Sequence, residues 1–219
     1  MNDWYPLWLS LRVATLATLI AAIAGIASGY LLAKARFRGR GLLEAILTIP
    51  IVLPPTVLGY YLLTTLGVNS PIGRAWENIF GSPLVFTPTA AVIAASVSAL
   101  PFVVRTSRAA IEEVDPRLES VLRVSGYPEW KVALHVTLPV ARRGILAGVA
   151  LGFARALGDF GATVMIAGNI PGRTQTLPIA VYDAVQVGDD STARTGSLLL
   201  AGIAVVVLLA VTQLSTRRI

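Results

Sequence analysis

The sequence predicts an all-α fold, a polytopic integral membrane bundle of about five transmembrane helices. Hydrophobic residues make up 55% of the chain and charged residues 14%, whereas soluble domains carry about 25% charged residues. The apolar residues are also grouped in long runs, each close to the roughly 20 residues with which a helix crosses a bilayer. This composition excludes a soluble globule. The absence of cysteine excludes disulfides, thiolate metal sites and thiol nucleophiles.

Five apolar runs give the predicted membrane spans. They cover residues 13–33, 45–66, 84–104, 144–170 and 196–216. Pro50, Pro54 and Pro55 interrupt the second run, and because proline removes helix hydrogen bonds, a kink is expected there. The first run lacks a basic segment before it and is followed by a basic cluster. This pattern indicates a retained helix rather than a cleaved signal peptide.

The charges between the runs predict the orientation of the chain. Thirteen Lys and Arg residues fall in one set of connections and three in the opposite set. Because positively charged loops stay on the cytoplasmic side, the N-terminus is predicted outside and the C-terminus inside, in a single membrane domain over residues 1–219. The first set is Lys34, Arg36, Arg38, Arg40, Arg105, Arg108, Arg117, Arg123, Lys131, Arg142, Arg143, Arg217 and Arg218, and the second is Arg74, Arg173 and Arg194.

A long connection, about residues 109–142, is predicted to face the cytoplasm and to contain two short helices. Asp115 is a suitable N-cap and Pro116 suits the first helical position. Gly126 is typical of the residue that ends a helix, and Pro128 can open a second helix that carries Trp130. An exposed apolar edge on this loop would indicate a partner. The alternative is a loop that packs under its own bundle.

The same loop carries a family resemblance. Gly126, nine intervening residues and Val-Thr-Leu-Pro at 136–139 resemble the EAA signature of ABC importer permeases, EAA–x3–G–x9–I–x–LP. Ser-Val-Leu at 120–122 stands in the EAA places, with Glu119 one residue early. The resemblance implies a coupling loop that docks in a groove of an ATP-hydrolysing subunit. The residues it assigns to this role are Glu119, Arg123, Gly126, Trp130, Val136, Leu138 and Pro139.

A second part of the chain is similar to molybdate and tungstate permeases. The segments 156–165 and 168–178 and Tyr182 match that group, in which the acid at Asp159 is commonly glutamate. The resemblance implies the channel subunit of an importer for tetrahedral oxyanions in the cell (inner) membrane, with molybdate or tungstate as substrate. A sulfate or thiosulfate permease is the alternative. A stand-alone secondary transporter is a further one, although it is expected to carry more intramembrane ionisable residues or an internal repeat.

The resemblance also implies the partners of the chain. These are a second copy of itself, two copies of an ATPase that binds ATP and Mg²⁺, a periplasmic or extracellular substrate-binding protein, and the lipid bilayer. A nucleotide-binding loop needs Gly-Lys followed by Ser or Thr, and the only lysines follow Ala33 and Trp130. The chain is therefore predicted to be no enzyme and to bind no cofactor or nucleic acid. A lone histidine, His135, indicates no metal site.

The fourth run contains two charges, Arg155 and Asp159, predicted to share one face of a helix. An unpaired charge at bilayer depth costs about 3 kcal/mol or more, so an ion pair is expected. Two interpretations stay open: a site that attracts an oxyanion or changes partners on gating, and a permanent structural bridge. The segment 169–182 is likewise either part of an outer gate or an ordered external loop. The candidate pathway residues are Arg155, Asp159, Thr163, Asn169 and Pro171.

Overall fold

The structure, a computed structural model, describes residues 4–216, and this part of the chain is helical and holds no β-strand. Its α-helices are α1 (Tyr5–Lys34), α2 (Arg40–Val52), α3 (Pro55–Leu66), α4 (Pro71–Phe80), α5 (Pro88–Glu112), α6 (Pro116–Val124), α7 (Glu129–Val132), α8 (Leu138–Leu157), α9 (Gly161–Ala167), α10 (Leu177–Val187) and α11 (Asp190–Thr216). A π-helical turn, Ala133–Thr137, joins α7 to α8 without a break. The all-α prediction is confirmed. Arg217 and Arg218, used to predict the orientation, lie outside the described residues.

The number of spans also agrees with the prediction. The continuous helices that are long and apolar enough to cross a membrane are Tyr5–Lys34, Pro88–Glu112, Glu129–Leu157 and Asp190–Val211. A fifth crossing results if α2 and α3 count as one span with a bend of 117°. Pro54 lies at the bend and Pro55 begins α3, so the helix breaks where proline removes backbone donors. About five spans are confirmed, and the second is sharply bent.

The core of the bundle places α5 between α1 and α8. The buried alanines include Ala14, Ala17 and Ala21 of α1, Ala90, Ala94 and Ala99 of α5, and Ala156 of α8. Small side chains let helix backbones approach closely, as is usual between membrane helices. Val103 of α5 lies at one such approach. A Cβ at Gly25 of α1 would stand 2.8 Å from the Val103 Cβ, and one at Gly152 of α8 would stand 2.9 Å from its Cγ2.

One end of the bundle, called the basic end here, brings together the end of α1, the start of α2, the end of α5 and the helices α6 and α7. Arg40 Nη2 contacts Glu112 Oε1 at 3.1 Å, and Arg108 contacts both Glu44 and Glu112. These ion pairs fasten α2, which has no buried residue, to α5. The basic connections of α1–α2 and α5–α8 therefore lie at the same end, as the charge pattern requires. The side of the membrane that this end faces stays a prediction.

The fourth predicted span, 144–170, is wrong in its limits. The helix begins at Glu129, continues through the π turn and ends at Leu157, and α9 follows after a short break. Asp159 lies in that break, so the prediction that it shares a continuous helix with Arg155 is wrong as well. The break is stabilised because the Asp159 carboxylate accepts a hydrogen bond from the Thr163 N–H at 3.1 Å, replacing a bond that the start of α9 lacks.

The predicted connection 109–142 is also shorter in the structure. The helix α5 continues to Glu112 and the next long helix begins at Glu129, so only residues 113–128 separate them. Pro139, predicted to precede the fourth span, lies inside it. Because proline has no N–H to donate, a regular helix would lose a bond there. The π turn lies directly before Pro139, and the Leu138 N–H donates to the Ala133 carbonyl.

Candidate functional site

The helix α6 begins and ends as the sequence predicts. The Asp115 carboxylate accepts from the Arg117 N–H at 2.8 Å, and Pro116 is the first helical residue. At the other end Gly126 has a φ of +81°, a conformation that side chains with a Cβ disfavour. The Gly126 N–H donates to the Arg123 carbonyl and the Tyr127 N–H to the Leu122 carbonyl. This pair of bonds is the Schellman ending of a helix.

A buried carboxylate, Glu119, ties α6 to the rest of the bundle. Its side chain is only 3% exposed and forms an ion pair with Lys34 Nζ, at the end of α1, at 2.7 Å. It also accepts from the Thr137 hydroxyl at 2.7 Å and from Arg123 Nη2 at 3.2 Å. Burial alone would raise the pKa of Glu119, but the hydrogen bonds from Lys34 and Thr137 and the charges of Lys34 and Arg123 outweigh it and lower the pKa.

A second ion pair crosses the turn at Gly126. Arg123 Nε and Nη2 contact the two carboxylate oxygens of Glu129 at 2.6 and 3.0 Å. A two-bond contact between guanidinium and carboxylate fixes the relative direction of the two groups. It therefore links α6 to α7 directly; the two helices and the turn between them, with the π turn that follows, are called the α6–α7 loop here.

The outer edge of the α6–α7 loop is apolar and exposed. Its members are Leu118, Val121, Val124, Tyr127, Trp130 and Leu134, with Trp130 60% exposed and Val124 89% exposed. Lys131 Nζ lies 5.5 Å from the ring centroids of both Tyr127 and Trp130. Contiguous apolar surface of this kind indicates an interaction site. The alternative that the loop merely packs under its own bundle does not account for this edge.

The other predicted loop residues hold or shape the loop. Leu138 packs against a small core cluster that contains Ile111 and Ile145. Val136 is half-buried, and Pro139 is exposed beside the π turn. Within the predicted set, Glu119 and Leu138 hold the loop against the bundle, Gly126 forms its turn, and Trp130 is exposed on its surface.

A second buried carboxylate, Asp159, organises the break between α8 and α9. Its side chain is 1% exposed. It accepts hydrogen bonds from the Ser98 hydroxyl at 3.0 Å, the Thr163 hydroxyl at 2.7 Å and the Thr163 N–H at 3.1 Å. Arg155 Nη2 contacts Asp159 Oδ1 at 3.0 Å, and the arginine side chain is 27% exposed. The predicted ion pair is present, and Thr163 belongs to the same cluster.

A cavity of about 430 Å³ opens in front of this cluster. Pro55, Thr56, Arg155 and residues 158–161 line it, so it lies where the break of the second span meets the break of the fourth. The two breaks touch: a Cβ at Gly161 would stand 2.8 Å from the Pro55 Cβ. The Phe160 ring lies 4.7 Å from that of Tyr182, between centroids. Arg155 and Asp159 both line the cavity, but the arginine side chain is 27% exposed and the aspartate side chain only 1%.

Asn169 and Pro171 lie elsewhere, in an ordered segment at the opposite end of the bundle from the α6–α7 loop. Both are exposed, and Gln175 Nε2 donates to Asn169 Oδ1 at 2.9 Å. The segment is tied to α1, because the Leu177 N–H donates to the Ser10 hydroxyl at 2.7 Å and the Tyr5 hydroxyl donates to the Arg173 carbonyl at 3.0 Å. No hydrogen bond or ion pair within residues 4–216 joins Asn169 or Pro171 to the Arg155 cluster.

Metal and hydrolase chemistry find no support in the described part of the chain. No group of three or more His, Cys, Asp or Glu is placed there to hold a metal ion. His135 Nδ1 lies 2.9 Å from the Lys131 carbonyl of its own helix. Ser98 donates to Asp159, which makes it a structural donor.

The sequence prediction missed several residues of these two sites, among them Lys34, Thr137 and Ser98. From the sequence Lys34 is only part of a basic cluster, Thr137 is the variable position of the Val-Thr-Leu-Pro segment, and Ser98 has no assigned role. A buried carboxylate needs donors, so the acidic residues gave a signal that such partners exist. The positions of Lys34, Thr137 and Ser98 in the sequence do not indicate which carboxylate each of them contacts.

The family model for the binding-protein-dependent transport system inner membrane component matches residues 17–219. Among curated relatives, the putative molybdenum transport system permease protein YvgM of Bacillus subtilis is 43% identical over 86% of this chain and 83% of its own. The molybdenum transport system permease protein ModB of Escherichia coli is 42% identical, over 88% and 85% respectively. The sulfate transport system permease protein CysT of Escherichia coli is 31% identical, over 95% and 75%.

Solved structures with the same fold are transporter permeases of lower sequence identity. An inward-facing structure of the MetNI methionine ABC transporter aligns with a TM-score of 0.76 at 17% identity and covers 98% of both chains. A bacterial alginate ABC transporter in complex with an alginate-bound periplasmic protein aligns with a TM-score of 0.78 at 16% identity, over 99% of this chain and 80% of that one. The fold is therefore that of an ABC transporter permease.

Proposed function

The chain belongs to the family of binding-protein-dependent transport system inner membrane components, and on that premise we propose that it is the transmembrane channel subunit of an ATP-driven importer for tetrahedral oxyanions. Molybdate is the proposed substrate, and tungstate its close analogue. The observation that carries the mechanism is the α6–α7 loop, whose apolar edge is exposed while Glu119 holds its base. A preorganised surface of this kind loses little freedom when a partner binds.

The partner of this edge is an ATPase subunit that carries the ATP and Mg²⁺. It covers Trp130 and the apolar side chains around it, and its motion on ATP binding displaces the α6–α7 loop. The helix Glu129–Leu157 is continuous, so a displacement at Trp130 reaches Arg155 without a flexible joint between them. The chain itself contributes no catalytic residue and no cofactor site.

The assembly contains two copies of this chain and two ATPases, with the basic end in the cytoplasm and the N-terminus outside. The exposed apolar faces of α2 and α11 are available to the second copy and to lipid. An external binding protein delivers the oxyanion at the end that carries Asn169 and Pro171. The positive charge of the connections at the basic end supports this orientation.

The substrate is proposed from the relatives. The two relatives described above that are named for molybdenum transport are 42–43% identical to this chain, and the sulfate permease CysT is 31% identical. Molybdate, tungstate and sulfate are all tetrahedral dianions, so a cation-lined pathway serves each of them. Sulfate or thiosulfate import is the second candidate because of the similarity to CysT. If the chain were a stand-alone secondary transporter, the exposed apolar edge of the α6–α7 loop would have no role.

The test is uptake of radioactive molybdate into proteoliposomes that hold this chain and its cognate ATPase, with the binding protein outside the vesicles. Uptake that requires ATP and is inhibited by tungstate more strongly than by sulfate supports the proposal. Inhibition in the reverse order supports the sulfate candidate. No uptake of any oxyanion by a fully assembled complex contradicts the substrate class.

The docking surface is tested in the same vesicles with Trp130→Ala. The variant should lose ATPase binding and uptake together, because a large exposed aromatic is the side chain most often decisive at an interface. Trp8→Ala is the matched control, since Trp8 is also exposed, at 61%, and lies on α1 away from the α6–α7 loop. Normal ATPase binding by the Trp130 variant would remove the loop from the interface.

A further inference from the structure

The Arg155–Asp159 pair is asymmetric in a way that an ordinary ion pair is not. Asp159 is fully buried and has three neutral donors of its own, from Ser98 and Thr163. Arg155 has a single contact, from Nη2 to Asp159 Oδ1. A guanidinium carries five N–H donors, and within residues 4–216 the Nε and Nη1 groups of Arg155 contact no other partner.

Arg155, which carries these free donors, lines the cavity between the two helix breaks. Arg155 and Thr56 both line it. Thr56 is exposed, and its hydroxyl has no protein partner among the described residues. Asp159 also lines the cavity, but its side chain is 1% exposed whereas that of Arg155 is 27% exposed, so an anion in the cavity meets the cation and a hydroxyl first.

We propose that this cavity is a transient binding site for the transported oxyanion, in which Arg155 donates its free N–H groups to two oxygens of the tetrahedral dianion. The inference rests on the proposed function, because it names a site on that pathway. Thr56 adds a hydroxyl donor at the cavity wall. Guanidinium groups bind two oxygens of one anion in parallel, which an ammonium group does not do.

Three neutral hydrogen bonds lower the cost of partner exchange at this position. When Arg155 turns to the anion, Asp159 keeps these bonds, which offset part of the cost of separating the buried carboxylate from its counter-ion. The cavity volume of about 430 Å³ is far above the roughly 10–15 Å³ that one water needs on the same measure, so the cavity has room for the dianion together with several waters. Partial hydration keeps the site weak enough for release, as conduction requires.

The test compares uptake per ATP hydrolysed in the complete complex for Arg155→Gln, Arg155→Lys and the double variant R155Q/D159N. Copurification of the ATPase reports assembly for each. Arg155→Gln should lower molybdate uptake per ATP by about tenfold or more, because a charge-assisted contact to the anion is lost. Arg155→Lys keeps an ion pair with Asp159 but loses the parallel donors, and uptake should fall severalfold.

The double variant separates an anion site from a structural bridge. It removes both charges, so a role in charge pairing alone predicts uptake above that of Arg155→Gln, and an anion site predicts no such recovery. Wild-type uptake by Arg155→Lys, or recovery in R155Q/D159N, would overturn the inference. Arg12→Gln is the matched control: Arg12 is an exposed arginine of α1, remote from this cavity, and its variant should transport within about twofold of wild type.

A readout without turnover completes the test. The complex without its binding protein is titrated with molybdate and with sulfate, and saturable binding is measured by retention of the labelled anion. Wild-type complex should bind both, and Arg155→Gln should weaken binding about tenfold. A wild-type complex that imports no oxyanion contradicts the proposed function. A wild-type complex that imports molybdate, with variants that bind and import equally well, contradicts only this inference.

Discussion

Two buried carboxylates, Glu119 in the α6–α7 loop and Asp159 in the membrane bundle, are built from similar parts. Both are at most 3% exposed, and each has an arginine four residues away in the chain. Each also accepts a threonine hydroxyl at 2.7 Å, from Thr137 and Thr163 respectively. The two sites differ in the charge that surrounds the carboxylate.

Glu119 is held by two cations, Lys34 and Arg123, and Asp159 by one cation and three neutral hydrogen bonds. Removing Glu119 therefore leaves two positive charges without their shared carboxylate, whereas removing Arg155 leaves the Asp159 carboxylate without a counter-ion but with three hydrogen bonds. The Glu119 site, called the fixed joint here, holds the α6–α7 loop in place through charged contacts. The membrane site keeps its carboxylate satisfied by neutral groups, which leaves its arginine free to act on something else.

The largest expected effect is at the fixed joint. Glu119→Ala should destabilise the docked α6–α7 loop by about 2–3 kcal/mol, below the 3–5 kcal/mol of a fully buried pair, because Lys34 and Arg123 are 23% and 38% exposed and water screens them. Hydrogen exchange of α6 amides and copurification of the ATPase are the measurements.

Glu113→Ala is the control for that substitution. Glu113 is exposed, lies six positions before Glu119 and has no ion pair among the described residues, so its loss should change neither measurement. Equal protection of α6 in the Glu119 and Glu113 variants would show that the joint is not held by charge.

The second largest effect is expected at Gly126, in the turn between α6 and α7. Gly126→Val should cost about 1–2 kcal/mol, because Gly126 has a φ of +81° and a Cβ is disfavoured there. Gly126→Asn should cost less, since asparagine tolerates this region better than other residues. Thermal unfolding of the complex together with ATPase-coupled uptake measures the effect. Equal losses of stability and uptake in the two variants would show that the added side-chain volume at the interface, and not the backbone conformation, causes the effect.

A smaller effect separates the two sites directly. Thr137→Val and Thr163→Val each remove one hydroxyl bond at nearly constant volume and should cost about 1 kcal/mol. Combined with Arg155→Gln, the Thr163 substitution should cost more than it does alone, because Asp159 then has fewer donors left. A double-mutant cycle on thermal stability measures that coupling. Strict additivity would mean that Arg155 does not share Asp159 with Thr163.

The smallest effect is on acid sensitivity. The pKa of Glu119 lies below its ordinary value of 4.5, so its contribution to loop docking is complete above that value and is lost as pH falls through the lowered folded-state pKa. Fluorescence of Trp130, followed between pH 7 and pH 3 in a variant whose other three tryptophans are replaced by phenylalanine, should report this loosening. In Glu119→Gln the corresponding transition should be missing, and its persistence would assign the change to another group.

The features that could be predicted are those set by residues close together in the sequence. The ends of α6 follow from Asp115 and Gly126, whose effects act within one helical turn, and the spans follow from runs of apolar residues. The three prolines predicted an interruption, but the angle of 117° depends on the packing of α3 against α9. The small residues Gly59 and Gly161 permit that packing, and no pattern within either helix specifies it.

The partners of the two carboxylates lay beyond local pattern. Lys34 is far from Glu119 in sequence and meets it only because α1 ends beside α6. Ser98 is 61 positions from Asp159 and looks like any serine of an apolar helix. Asp159 was placed on a continuous helix because the apolar run continues to residue 170. The carboxylate that accepts the Thr163 N–H is what ends that helix, and hydropathy does not register such a bond.

The π turn at Ala133–Thr137 fixes a rotational phase along the chain. An α-helix advances about 100° per residue, and a π turn accommodates one residue more than an α-helical turn does. Deleting one residue there would restore ordinary helical bonds and leave Trp130 and Arg155 close to their present relative orientation, because the π turn already absorbs the extra residue. Deleting one residue elsewhere in the same helix would rotate Trp130 by about 100° relative to Arg155. The π turn is therefore the one stretch of this helix at which a change of length is expected to be tolerated.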